Sequence, residues 1–132
     1  MKKHFLFFIV FSLFTAAYSL ETKRFISGSI INTWIWEKSI GGSSNPYTAT
    51  PKTSGFNKKI VFTQDGRVIT YKNDVEIRNS TYQIEKGIGF FDHSEHDLIT
   101  FEGKTYIIEN IDSQNLTIVS NNQDASRSIY KR

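Results

Sequence analysis

The sequence predicts an all-β protein: an eight-stranded antiparallel up-and-down barrel in a single domain. Short runs rich in β-branched and aromatic residues recur along the chain, as in strands. Turn-forming pairs such as Asp65-Gly66 and Asn73-Asp74 separate these runs at near-regular spacing, which is typical of sequential hairpins. The length of 132 residues suits one domain with one core.

Residues 1–19 have the layout of a cleavable signal peptide. Two lysines near the start precede an apolar run over residues 5–14, and small residues follow at Ala17 and Ser19. The apolar run is about ten residues long, whereas a bilayer span needs roughly 20. We therefore expect cleavage after Ser19 and a periplasmic or secreted barrel domain over residues 20–132, without a membrane span.

Charge and cysteine content exclude several functional classes. The formal net charge is +3, from 16 Lys and Arg against 13 Asp and Glu, and two of the lysines lie in the leader. No long basic run remains, and this argues against nucleic acid as a partner because phosphate recognition needs several cations together. The chain has no cysteine, so it offers no lipid-anchor thiol, thiol nucleophile or disulfide. We expect a monomer held together by its hydrophobic core.

The first strand is predicted at Thr33–Ile40, which contains both tryptophans of the chain. Side chains two residues apart share one face of a strand, so Trp34 and Trp36 would both point into the barrel. They would serve as core, with Trp36 as an alternative pocket residue. Residues 41–55 follow; they contain both prolines and many Gly, Ser and Thr residues, and this composition predicts a long loop.

The other seven strands are predicted at residues 57–64, 67–72, 75–86, 97–102, 105–111, 116–120 and 126–131. In the third of these, Asn79-Ser80 is the predicted bulge, because Ile77 and Tyr82 do not share a parity. Residues 87–95 are expected to be irregular, and no helix is predicted after the leader. Eight such strands close a barrel that side chains fill or that holds one small ligand.

Several short motifs follow one another in a fixed order. They are Asn32-Thr33-Trp34-Ile35-Trp36, the polar stretch 41–55, residues 60–66, Tyr71-Lys72-Asn73, residues 81–87, residues 115–118 and the closing Tyr130-Lys131-Arg132. In this order they resemble the bacterial lipocalin-like family of small exported calycin-type barrels. The resemblance covers residues 31–132.

The resemblance implies a lipocalin-type barrel with Trp34 at its closed end. Asn32 stands where lipocalins carry glycine. The resemblance also implies that an arginine of the last strand packs over Trp34 in a cation–π contact, and Arg127 and Arg132 are both candidates.

The candidate ligand site is aromatic. The side chains predicted to line it are Trp36, Phe62, Tyr71, Tyr82, Phe101 and Tyr106. An apolar wall with a few hydroxyls suits a small hydrophobic molecule bound non-covalently, with the loop 41–55 over the mouth. The alternative is a filled barrel that acts as a protein-interaction or inhibitor module through the loop 41–55 and the barrel rim, with Tyr47 as the exposed anchor.

Metal binding and catalysis have weaker signals. The segment Asp92-His93-Ser94-Glu95-His96-Asp97 has metal-capable side chains, but in an extended strand His93 and His96 would point to opposite faces. A tight turn would bring the two histidines together; we interpret the segment as a solvated loop and expect no cofactor. No nucleophile-elbow, zincin or phosphate-loop motif is present, so we expect no enzymatic activity.

Overall fold

A computed structural model describes residues 30–42 and 46–132. The predicted signal peptide, residues 1–19, lies outside the described residues. The strands are β1 (Thr33–Ile40), β2 (Thr48–Ala49), β3 (Lys58–Phe62), β4 (Arg67–Lys72), β5 (Val75–Ile88), β6 (Glu95–Phe101), β7 (Lys104–Ile111), β8 (Asn115–Ser120) and β9 (Arg127–Lys131). A short helix, α1, spans Pro51–Ser54.

All strands except β2 form a closed antiparallel barrel of eight strands. Each barrel strand is hydrogen-bonded to the strands that precede and follow it around the barrel. The last strand returns to the first, with Ile35 opposite Lys131 and Ile40 opposite Arg127. The all-β class and the closed barrel are therefore as the hairpin rhythm predicts, and β1 and β4 have the predicted bounds.

Positive backbone φ angles occur where the hairpins turn. Asn73 and Asp74 have φ values of 50° and 63°, which is the combination required by a tight primed turn between β4 and β5. Glu102 and Gly103, between β6 and β7, have φ values of 53° and 76°. A glutamate is rare in this left-handed region, so Glu102 holds a conformation that its surroundings must stabilise.

Residues 46–55 are more regular than the prediction of a loop over residues 41–55 allows. Strand β2 pairs with the end of β1, with Ser39 opposite Ala49. In α1, Thr50 is the N-cap, its side chain and that of Thr53 form a reciprocal capping box, and proline occupies the first turn. Gly55 ends the helix with φ 79°, and its N–H donates to Pro51 O. The prediction that no helix follows the leader was wrong here. The sequence did not reveal α1, because four residues are too few to show helical periodicity.

The bulge in β5 lies at Ile77 and not at Asn79-Ser80 as predicted. Thr70 pairs with Arg78 whereas Tyr71 pairs with Glu76, which leaves Ile77 as the extra residue. The shift places Arg78 on the same face as Thr70, which is only 1% exposed. Strand β5 also continues to Ile88, so the irregular segment before β6 is shorter than predicted.

The middle of the barrel is filled by one hydrophobic core. Its members are Ile30, Trp34, Trp36, Ile60, Phe62, Val68, Ile99, Phe101, Leu116, Ile118 and Tyr130. Phe62 makes edge-to-face contacts with Tyr82 and Phe101, at centroid distances of 5.0 and 5.6 Å. Such pairs contribute about 0.5–1.5 kcal/mol each beyond the buried area. The Trp34 indole N–H donates to Ile30 O at 2.9 Å, so the turn before β1 packs against this end of the core.

Candidate functional site

At one end the barrel interior changes from apolar to charged. We call the five side chains Lys58, Thr70, Arg78, Glu102 and Lys104 the mouth cluster. Thr70 faces buried Ile60 across the β3–β4 pair, and Lys58 lies two residues before Ile60 on the same face. Lys104 faces buried Phe101 across the β6–β7 pair. The strand register therefore brings these side chains to the inner face near the turns that follow β4 and β6.

Glu102 is the centre of the mouth cluster. Its Oε1 accepts a hydrogen bond from Thr70 Oγ1 at 2.6 Å, and its Oε2 lies 3.0 Å from Arg78 Nε. The Glu102 side chain is 19% exposed, whereas that of Arg78 is 52% exposed. The positive φ of Glu102 is thus accompanied by two strong contacts of its carboxylate, which hold the turn and the cluster together.

Cationic groups outnumber carboxylates in the mouth cluster. Within the described part of the chain, neither Lys58 nor Lys104 has a carboxylate oxygen within 4.0 Å, whereas Arg78 is in an ion pair with Glu102. Burial lowers the pKa of Lys58; Glu102 opposes this shift, whereas Arg78 and Lys104 add to it. The cluster therefore holds three cationic side chains around one carboxylate that already has two partners.

Tyr106 lies beneath the mouth cluster, and Tyr130 belongs to the buried core. Tyr106 follows Lys104 on the same face of β7 and stacks on Phe101 at 5.1 Å. Burial raises the pKa of Tyr106, and the Glu102 carboxylate raises it further, while Arg78 lowers it. Burial also raises the pKa of Tyr130, with smaller contributions from Tyr106 and Glu102. Both phenols are therefore neutral at physiological pH and can donate hydrogen bonds.

A second aromatic pair lies at the side of the mouth. Phe56, between α1 and β3, stacks on Trp36 at 5.7 Å with an interplanar angle of 18°. The Lys72 ammonium lies 4.6 Å from the centroid of the Phe56 ring. The Trp36 indole N–H donates to Ser39 Oγ at 2.9 Å, and this hydroxyl shares a hydrogen bond with Ser128 Oγ at 3.1 Å. Trp36 thus belongs to the core and also contacts the polar end of the barrel.

The six predicted pocket residues do not form one pocket wall. Trp36, Phe62 and Phe101 are buried in the core, and Tyr106 is half-buried beneath the mouth cluster. Tyr82 is half-buried, and its hydroxyl donates to Thr63 O at 3.1 Å. The prediction for Tyr71 was wrong: it alternates with inward Thr70, and its ring packs on the outer face under Lys59 Nζ at 5.0 Å.

The predicted arginine over Trp34 is also incorrect. Arg127 lies on the outer face, where its guanidinium donates to both carboxylate oxygens of Glu109, with the Nη2 contact at 2.8 Å. Arg132 donates to Ser113 O at 3.1 Å. No cation–π contact in the described ranges involves Trp34. The indole is closed off by Ile30 instead.

The histidine segment forms a hydrogen-bonded turn. His96 Nε2 lies 2.6 Å from Asp92 Oδ2 and 3.1 Å from Ser94 Oγ. A serine–histidine–aspartate relay needs both imidazole nitrogens, whereas here both partners meet the same nitrogen. The Ser94 backbone N–H and then His96 lower the pKa of Asp92 to about 2. His93 has a φ of 53°. In the described residues, no three His, Asp or Glu side chains are placed so that they could hold a metal ion together.

A cleft of about 230 Å³ lies on the outside of the barrel wall beside Lys58. It is lined by Ile35, Asn57, Lys58, Lys59 and Asp74. Lys59 and Asp74 form an ion pair of 3.4 Å across it, and the Asp74 side chain is 88% exposed. This pair is therefore solvated and contributes little to stability.

No helix in the described residues is long and apolar enough to cross a membrane. Comparison of the sequence with protein-family models, with curated proteins and with solved structures found no match. The mouth cluster and the rings beneath it were not found from the sequence as a unit. The one available signal was strand parity, which places Lys58 on the face of Ile60 and Phe62.

Proposed function

We propose that this chain is an exported lipocalin-like protein that binds a small organic molecule non-covalently at the charged end of its barrel. The observation that carries the proposal is the division of the interior into a filled apolar core and a half-buried mouth cluster with free hydrogen-bond donors. A pocket of mostly apolar walls with a few well-placed polar groups is the usual form of a small-molecule site. The leader pattern supports export, and the motif order supports the lipocalin-like family.

The depth of the site follows from the packing of the core. Trp36, Phe62 and Phe101 are at most 6% exposed, so they occupy the space that a deeply buried ligand would need. A ligand would therefore lie above them, against Phe56 and Tyr106, with its polar group toward the mouth cluster. Burial of its apolar surface would contribute roughly 25 cal/mol per Å².

Binding without covalent chemistry is supported by the groups at the mouth. Its phenols are neutral, and the one hydroxyl that donates to a carboxylate there, that of Thr70, is only 1% exposed and so is shielded from a bound molecule. Ser94, Asp92 and His96 are hydrogen-bonded to one another, but their geometry does not support a relay. We accordingly propose a carrier or sensor and not an enzyme.

The experiment is native mass spectrometry of residues 20–132 after exposure to an extract of small molecules from bacterial cells. We expect a bound species of a few hundred daltons, because that size matches a site between the mouth cluster and the core. Phe56→Ala should abolish this species, since Phe56 lies at the mouth. Tyr71→Ala is the matched control, because it removes an aromatic ring from the outer face. A protein that takes up nothing from the extract would contradict the proposal.

One observation favours a second candidate, a filled barrel that binds another protein through residues 41–55 and the rim. Tyr47 is 47% exposed next to β2, and α1 behind it is capped at both ends by Thr50 and Gly55. Tyr47→Ala should then abolish capture of the partner and leave the melting temperature nearly unchanged. Capture that persists in the variant would contradict this candidate.

A further inference from the structure

We infer that the mouth cluster is a carboxylate-binding site, and that the molecule bound by this barrel is a compact amphipathic carboxylate. The inference rests on the proposed function and adds the ligand class to it. Its basis is a juxtaposition at one end of the barrel: three cationic side chains lie near a single carboxylate that is already engaged, above the rings of Phe101 and Tyr106.

Charge is the first argument. Lys58, Arg78 and Lys104 influence one another electrostatically, since Arg78 and Lys104 both act on Lys58. The Glu102 carboxylate offsets one of the three positive charges. Like charges held together at the rim of a low-dielectric interior repel one another more strongly than in water. An anion placed among them would relieve this repulsion, whereas a neutral ligand would not.

Geometry is the second argument. The contact between Glu102 and Arg78 is on the Nε side of the guanidinium, at 3.0 Å, and the terminal nitrogens of Arg78 make no hydrogen bond within the part of the chain that the structure describes. A guanidinium presents parallel N–H groups that match the two oxygens of a carboxylate. Thr70 fixes the other oxygen of Glu102 at 2.6 Å, so this carboxylate is a positioning group for Arg78. Lys58 and Lys104 add ammonium donors from neighbouring strands.

The apolar part of the ligand is limited in length by the core. Phe101 and Tyr106 stack beneath the charged groups, and Trp36 with Phe56 closes the side. These rings offer apolar surface at the level of the mouth but leave the middle of the barrel occupied. A short aliphatic or aromatic group attached to the carboxylate matches this shape better than a long acyl chain.

The test compares octanoate with octanol, which have the same number of carbons and differ in charge. Binding to residues 20–132 is measured by isothermal titration calorimetry and by backbone amide shifts in NMR. Octanoate should bind at least about tenfold more tightly than octanol, because hydrogen bonds and ion pairs to a charged carboxylate are stronger than hydrogen bonds to a neutral hydroxyl. Amide shifts should be largest around Thr70 and Glu102.

The variants are Lys58→Gln and Lys104→Gln, with Lys131→Gln as the matched control. Each removes one positive charge, but Lys131 lies on the outer face in an ion pair with Glu37 at 3.2 Å. Lys104 is exposed at the start of β7, so its replacement should leave the fold intact. We expect the first two variants to weaken octanoate binding about tenfold and the control to leave it unchanged.

Three results would overturn the inference in distinguishable ways. Equal affinity for octanoate and octanol would refute carboxylate recognition and leave the small-molecule proposal standing. An equal loss of octanoate affinity in all three variants would show that net charge, and not the mouth cluster, attracts octanoate. This result would also refute carboxylate recognition at the mouth cluster and leave the small-molecule proposal standing. No binding of either compound, together with no species bound from the extract, would refute both proposals.

Discussion

The contact between Thr70 and Glu102 allows a quantitative test of the mouth cluster. Thr70→Val keeps the shape of the side chain and removes the hydroxyl that donates to Glu102 Oε1 at 2.6 Å. Hydrogen bonds to charged groups contribute about 1.5–3 kcal/mol, and the added methyl group recovers less than 1 kcal/mol by burial. We expect Thr70→Val to lower the free energy of unfolding by about 1–2 kcal/mol.

The assay is urea unfolding followed by tryptophan fluorescence. Trp34 and Trp36 are the two tryptophans of the chain, and both are at most 5% exposed, so the signal reports on the core. Thr100→Val is the matched control, since the Thr100 hydroxyl shares a hydrogen bond with the neutral hydroxyl of Thr105 at 2.9 Å. This control should cost about 1 kcal/mol or less.

A double-mutant cycle with Glu102→Gln isolates the pair. Residues in direct contact show coupling energies of about 0.5–3 kcal/mol, and we expect a value above 1 kcal/mol for this charged pair. Coupling below about 0.5 kcal/mol between Thr70 and Glu102 would refute the view that the threonine holds the carboxylate in place.

Three further changes test other parts of the structure. Gly55→Ala should destabilise the barrel by about 1 kcal/mol in urea unfolding, because an L-residue is strained at φ 79°; an unchanged midpoint would contradict the left-handed cap. Tyr106→Ala should cost about 3 kcal/mol and outer-face Tyr71→Ala under about 1 kcal/mol, and equal losses would contradict their assigned faces. Because the pKa of Asp92 is lowered to about 2, the contribution of its carboxylate to folding stability should be fully present above pH 3.8 and be lost as the pH falls toward 2. A carboxyl NMR titration of Asp92 with a midpoint near 3.8 would disprove this.

The barrel was predictable because its signals are local. Alternation placed Trp34 and Trp36 on one face, and paired turn residues such as Asn73-Asp74 marked the ends of the hairpins. The helix α1 escaped prediction since four residues show no period, although proline after an N-cap threonine and Gly55 at the end are recognisable in retrospect.

The mouth cluster could not be predicted in the same way. Charged residues on strands normally face solvent, so Lys58 and Arg78 carried no signal of an inward orientation. The bulge at Ile77 changes the phase of β5, and this determines the face on which Arg78 lies. Glu102 sits in a turn, where its left-handed backbone directs the side chain in a way that strand alternation does not describe.

Closure of the barrel between β9 and β1 has a consequence for how the chain folds. The hydrogen bond between Ser39 and Ser128 joins residues 89 positions apart, and it lies in the pairing that completes the ring. Such distant pairing slows folding, because the whole intervening chain must be ordered before the contact forms. Until β9 is available, β1 and β8 each present an unpaired edge that is open to association with other chains. A chain truncated before Arg127 should therefore aggregate, because pairing with β9 is what covers both of these edges.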